Sequence, residues 1–383
     1  MAGPHAARVC GHMMMRAAVI FAVMSLCVAC ASRPDARLIP TPGQAAGAET
    51  VSVFTISTRE ESDEPGVIYS GERSEISSTK IVTVAIPPSH ETGNIEWPKK
   101  GDPMTEFSVL DITEPTNADV RGWFREQETD GHVLIFTHGY NTRYGEGVLR
   151  LAQLAHDLDI DAAPVLFSWP SRGTFGSYLY DRESASIARD TLEQIIRIAA
   201  ASDETKTITV FAHSMGGWIT MEALRQYAIR KGALDPKIKS VILASPDIDI
   251  DVFEAQVNAL GRERPEITVL LSTDDKALSL SRVLAGNVGR LGAIDVKDDV
   301  YAAKISDIKG IKLVDLSELD VDGRLHHSKF AEAQQAIDFL GAEIGGYAQS
   351  SGLTRQAEAI FIGLSEALEK SKPRRGILVG AGE

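Results

Sequence analysis

The chain has 383 residues, 44% hydrophobic and 24% charged, enough for one large domain with a substantial core. Its formal net charge of −14 repels phosphate backbones and argues against nucleic acid as a partner. All three cysteines, Cys10, Cys27 and Cys30, precede position 31, so the rest of the chain has no disulfide, cysteine nucleophile or cysteine metal site.

Arg16 precedes the apolar run AAVIFAVMSLCVAC, which is short for a bilayer span and has the length of a signal-peptide core. Met13, Met14 and Met15 just ahead of it offer alternative starts. LCVAC resembles a bacterial lipobox and makes Cys30 the lipidation candidate, with Cys27 where leucine is usual. Ala29 and Ala31 offer a competing A-x-A cleavage site without lipid. Residues 1–31 therefore read as a signal or lipoprotein leader. The expected location is the periplasm or cell envelope, with membrane attachment through an N-terminal lipid anchor as the alternative to soluble export. Residues 32–50, rich in Pro, Ala, Gly and Thr, read as a flexible tether.

Residues 51–115 carry short β-type runs, VSVFTIST and KIVTVAIP, divided by polar stretches, and read as a small β-rich section. From 116 to 345 apolar strand-like runs alternate with helical patterns: HVLIFTHG, APVLFSW, TITVFA, SVILASP, EITVLLS and KLVDLS. Between two of them, Ile187, Leu192, Ile195, Ile196 and Ala199 share one face of a helix. Nearly continuous apolar strands separated by helices predict an α/β fold, a mostly parallel sheet covered on both faces. Residues 346–383 read as a helical extension, with an amphipathic pattern over Thr354–Lys370.

TITVFA runs into Ala212-His213-Ser214-Met215-Gly216, a variant of G-x-S-x-G with Ala212 in place of the first glycine. That pattern makes a sharp strand-to-helix turn whose serine hydroxyl is exposed at the carboxyl edge of the sheet. The bland reading is a serine capping an ordinary helix. As nucleophile, Ser214 needs donors for an oxyanion, and the N–H groups of Met215 and of Tyr140, in Thr137-His138-Gly139-Tyr140-Asn141, stand where those donors arise.

A serine also needs a base, and the base an orienting carboxylate, in the chain order serine, acid, histidine. The acid follows EITVLLS, where Asp275 is preferred and its neighbour Asp274 is not separable by spacing. Asp247, after SVILASP, is a third candidate. The base follows KLVDLS, where His327 is preferred over the adjacent His326. The composition leaves room for zinc held by histidine and carboxylate, but no H-E-x-x-H pair occurs among the nine histidines, and the expected chemistry requires no metal or cofactor.

Taken in order, STRE, IPPSHETGNIEWP, HGYN, FSWPSRG, YDRESA, AHSMGGW, LASPDIDIDVF and STDDKALSLS resemble a bacterial alpha/beta-hydrolase family of unassigned function in the esterase/lipase superfamily. The resemblance spans about Val51 to Phe330. It implies an alpha/beta-hydrolase fold with Ser214 as nucleophile and favours Asp275 and His327 as its partners. Gly217-Trp218 departs from the small polar residue frequent after the motif, which bears on the pocket floor. Trp169 is expected to pack beneath its loop rather than floor an acyl pocket, and Arg172 and Arg182 to be solvated.

The expectation is a serine hydrolase acting on a small-molecule acyl ester through an acyl-enzyme. A thioesterase or acyltransferase with the same three residues is the first alternative. A non-catalytic envelope binding protein on a hydrolase scaffold is the second.

Overall fold

The apolar alternation within each strand has a direct consequence. In His132–Thr137 (β4), Val133 and Ile135 face one core while Leu134 and Phe136 face another, so the strand is buried on both sides. The same division recurs in Ala163–Ser168 (β5), Thr207–His213 (β6), Ile238–Ala244 (β7) and Glu266–Leu271 (β8). These strands form the centre of a nine-stranded sheet in the computed structural model. The structure describes residues 33–345 except 42, 128, 287, 296–307, 309, 320 and 322–324.

The remaining strands are Glu49–Glu61 (β1), Tyr69–Ile86 (β2), Ser108–Thr113 (β3) and Ile311–Asp315 (β9). The order across the sheet is β3-β2-β1-β5-β4-β6-β7-β8-β9. From β1 to β9 every neighbouring pair is parallel; β2 is antiparallel to both β1 and β3. The mostly parallel sheet is the one expected from the alternation of runs, and with its antiparallel β2 it has the alpha/beta-hydrolase architecture that the resemblance implies.

The β-rich section continues the main sheet, because β1 pairs in parallel with β5 from Phe54↔Val165 to Ser57↔Ser168. The expected tether is corrected from Ala36 onward. Leu38 is buried in the core, its N–H donates to the Gly66 carbonyl at 2.8 Å, and Thr41 N–H donates to Val109 O at 2.9 Å. One well-placed leucine and two edge hydrogen bonds hold a segment whose composition alone signals flexibility.

Helices cover both faces. Tyr178–Ala201 (the long helix, α3), Met215–Lys231 (α4) and Ile250–Ala259 (α5) pack on one side through Leu192, Ile196, Ile219, Leu224, Phe253 and Val257. Tyr144–Asp157 (α2) and Gln334–Gly345 (α8) pack on the other through Val148, Leu151, Ile337 and Leu340. Asn117–Glu126 (α1), Lys276–Leu284 (α6) and Lys329–Glu332 (α7) complete the set. Among the described residues no helix is long and apolar enough to cross a membrane. Cys30, the leader and the Thr354–Lys370 pattern lie outside the described residues.

Candidate active site

Ser214 sits between β6 and α4 with φ 53° and ψ −122°, a left-handed conformation that a non-glycine residue adopts only under constraint. Three backbone hydrogen bonds hold it there. Its N–H donates to Ala244 O (2.9 Å), and its carbonyl accepts from Gly217 N–H (3.0 Å) and Asp247 N–H (3.1 Å). The side chain makes no cap hydrogen bond, so the helix-capping role is not the one it fills. Asp249 and Asp275, by contrast, do cap their helices.

The turn is tight enough to require its glycines. A Cβ on Gly216 would lie 2.5 Å from the carbonyl oxygens of both Thr137 and His138. One on Gly139 would lie 2.9 Å from Ser214 Cβ and from His213 Nδ1. The loop after β4 therefore presses directly on the serine turn. Met215 opens α4, whose first N–H groups have no acceptor within the helix. Asn141 turns the neighbouring loop back with φ 57°.

The acid and base candidates resolve into two separate pairs. His327 Nδ1 lies 2.6 Å from Asp275 Oδ2, and His326 Nδ1 lies 2.6 Å from Asp274 Oδ2. His326 takes a left-handed φ of 55°, which lets adjacent imidazoles reach adjacent carboxylates.

The surroundings of the pairs differ. Asp275 is fully buried, and its Oδ1 accepts from Leu278 N–H at 3.0 Å as the cap of α6. Asp274 is partly exposed and receives the buried Lys329 ammonium (2.9 and 3.0 Å) and the Ser272 hydroxyl. Those donors pull its pKa down to about 2, against a burial effect in the other direction.

Only the His327 pair is tied to the serine strand. His213 Nε2–H donates to the His327 carbonyl at 3.1 Å, and the two rings lie 4.6 Å apart. Burial, reinforced by the neighbouring His327 ring, holds the pKa of His213 well below the usual histidine range, so it acts as a neutral donor. Ser214 Oγ makes no hydrogen bond among the described residues.

Asp247 has other partners. Tyr178 Oη (2.9 Å) and Ser281 Oγ (2.6 Å) donate to it, and Arg290 Nε lies 3.2 Å away. None of these is a histidine. Asp247 thus links the serine turn to α3 and α6.

A second layer was not readable from motif order. Arg59, on β1, is buried and uses all five N–H donors: Nε to Ser168 Oγ (2.8 Å), and the others to Ser70 O (3.2 Å), Ser171 O (2.7 Å), Thr142 O (2.8 Å) and His138 Nε2 (3.1 Å). Burial draws its pKa down to about 10, opposed by the charge of Asp181, so it remains a cation at neutral pH. His138, desolvated and facing that cation, is lowered to about 3. It stays neutral, donates Nδ1–H to Gly139 O at 2.8 Å, and accepts from Arg59.

Trp169 is also fully buried, stacks on His138 and donates Nε1–H to the His138 carbonyl at 2.8 Å, which is the packing role expected of it. Arg172 and Arg182 are engaged rather than simply solvated. Arg172 makes a two-pronged contact with Glu72 (2.8 and 2.9 Å), and Arg182 lies 4.4 Å over Trp218. The STRE motif was the available signal for Arg59, and the histidine inside AHSMGG the signal for His213.

Residues 116–342, more than half of the chain, match the model of an alpha/beta hydrolase family of unknown function, DUF900. The chain belongs to that family. A curated relative, an uncharacterised protein of Nostoc sp., is 29% identical over 140 residues, 30% of this chain and 36% of the relative. The match thus spans about a third of that relative's length. Similar solved structures include a putative cell surface hydrolase from Lactobacillus plantarum (9% identity, 61% of this chain and 98% of that one, TM-score 0.38). Another is Est1E from Butyrivibrio proteoclasticus (11% identity, 76% and 96%, TM-score 0.34). A third is an esterase from Pyrobaculum calidifontis (11% identity, 70% and 81%, TM-score 0.33). The hydrolase assignment rests on the family match and on the chain's own sheet.

Proposed function

We propose that this alpha/beta hydrolase cleaves carboxylic esters through Ser214, His327 and Asp275. The observation that carries the reading is asymmetry between the two His–Asp pairs: only the one with a fully buried carboxylate is hydrogen-bonded back to His213, the last residue of the strand that precedes Ser214.

In the proposed reaction, Ser214 Oγ attacks the acyl carbon and its proton passes to His327 Nε2. Asp275 Oδ2 accepts His327 Nδ1–H, which fixes the tautomer with Nε2 open and stabilises the imidazolium. The oxygen that gains charge sits between the N–H groups of Met215 and Tyr140. Collapse expels the alcohol, which takes the proton from Nε2, and water then attacks the acyl-enzyme with the same histidine as base. The Ser214–His327 hydrogen bond closes when substrate excludes water, as catalytic contacts tighten in the bound state.

A fluorophosphonate probe tests the reading: labelling is expected at Ser214 and absent from Ser214→Ala. An unlabelled wild-type protein, with no turnover of short or long acyl esters, would leave the scaffold without this chemistry.

A further inference from the structure

The segment IPPSHETGNIEWP leaves β2 and packs against the far end of α2, opposite the end that adjoins the serine. A helix of 14 residues separates the two ends by roughly 20 Å. There His90, His156 and Asp157 bring three ligating atoms within 4.8 Å of one another, the only such group of His, Cys, Asp or Glu among the described residues. We propose that this cluster is a site for a divalent transition metal of zinc type, which fastens the 87–98 segment to α2.

Four features of the geometry support it. Asp157 Oδ2 is held by Gly93 N–H (2.7 Å) and Gln153 Nε2 (2.6 Å), which leaves Oδ1 aimed at both imidazoles. His90 Nε2 and His156 Nδ1 converge on that oxygen at 2.7 and 2.9 Å.

Each ring is backed by a carboxylate at its other nitrogen. Glu96 Oε2 lies 2.7 Å from His90 Nδ1, and Glu49 Oε2 lies 3.5 Å from His156 Nε2. That carboxylate–histidine arrangement orients and strengthens imidazole ligands. Finally, Asp157 ends α2, where the helix dipole favours a cation.

Tetrahedral ligands at zinc–nitrogen and zinc–oxygen distances lie about 3.3 Å apart, so His90 Nε2 and His156 Nδ1 each withdraw from Asp157 Oδ1 by less than about 1 Å. The ligating nitrogens are His90 Nε2 and His156 Nδ1, and in the metal-bound form each ring carries its one proton on the other nitrogen, His90 Nδ1–H toward Glu96 and His156 Nε2–H toward Glu49. Two imidazoles and one carboxylate leave the fourth position to water.

The test uses tag-free protein stripped with a chelator and titrated with zinc chloride by calorimetry, and with cobalt(II) by visible absorption. The expected result is one equivalent bound, weakened at least tenfold by His156→Gln and by roughly 10–100-fold by the outer Glu96→Gln. His156 is partly exposed, so its variant is expected to fold. Stoichiometry unchanged in His327→Gln would place the metal here and not at the serine. No uptake, or uptake indifferent to His156→Gln, would overturn the proposal and leave a metal-free ion-pair clasp.

Discussion

The Nε2–H of His213 donates to the main-chain carbonyl of His327, 3.1 Å away, across 114 residues of chain. The residue just before the candidate nucleophile therefore holds the loop that carries the candidate base. Phe330 closes the other side of His213 at 4.8 Å between rings. Replacing His213 by phenylalanine keeps the packing and removes the donor. We expect a stability loss of about 1 kcal/mol, the net value of one hydrogen bond. We also expect kcat to fall with KM little changed, because the substitution loosens the loop that carries the proposed base and alters no group proposed to contact substrate. Chemical denaturation and steady-state kinetics on one ester read both quantities.

The roles proposed for the two His–Asp pairs are separable by substitution. Asp275→Asn is expected to lower kcat by roughly 10³–10⁴-fold, because an amide stabilises the wrong imidazole tautomer. Asp274→Asn is expected to keep most turnover. It instead removes the carboxylate beneath the buried Lys329 and costs about 1–2 kcal/mol, less than a fully buried pair because Asp274 is partly exposed. Equal loss of turnover in both variants would show that the pairs act as one unit.

Arg59 is expected to behave as a positioning residue for the loop that carries Tyr140. Arg59→Lys retains the charge but has too few donors in the wrong geometry for five acceptors. Stability should fall by about 2–4 kcal/mol, since several buried acceptors lose their donor. At a temperature where the variant remains folded, kcat should fall more than KM rises. A pure KM effect would point to substrate binding instead.

Acid should destabilise the fold through His138. Its folded pKa is about 3, against about 6.5 for an unperturbed histidine. Between those values the unfolded chain binds a proton that the folded chain refuses, so this group's contribution to stability is full above pH 6.5 and is lost as pH falls toward 3. This one group contributes a slope of about 1.4 kcal/mol per pH unit inside that window. His213, shifted in the same direction, adds to it. Urea denaturation at a series of pH values checks this, and His138→Gln should flatten the slope.

Much of the core was legible because its strands are buried on both faces, which writes them as continuous apolar runs such as TITVFA and SVILA. The serine turn was legible because Ala212 and Gly216 mark a backbone that approaches its neighbours closely. What was not legible is non-local. Nothing in VSVFTIST states that it pairs in parallel with β5, or that Arg59 points from its end into a loop 79 residues away. Leu38 reads as one apolar residue in a Pro/Ala segment, and only its partners across the sheet make it core. Nor does spacing separate His326 from His327. A left-handed φ at His326 directs the two rings to different carboxylates, and histidine, though enriched among non-glycine residues at positive φ, marks such a turn far less sharply than glycine does.

The most direct measurement of the proposed chemistry is intact-protein mass spectrometry after brief incubation with an activated acyl ester. It is read on wild type, Ser214→Ala and His327→Ala, all verified as folded by circular dichroism. One acyl adduct mapped to Ser214 is expected in wild type, none in Ser214→Ala, and formation slowed by several orders of magnitude in His327→Ala. Acylation of folded His327→Ala at the wild-type rate, or an adduct at another residue, would contradict the proposed chemistry.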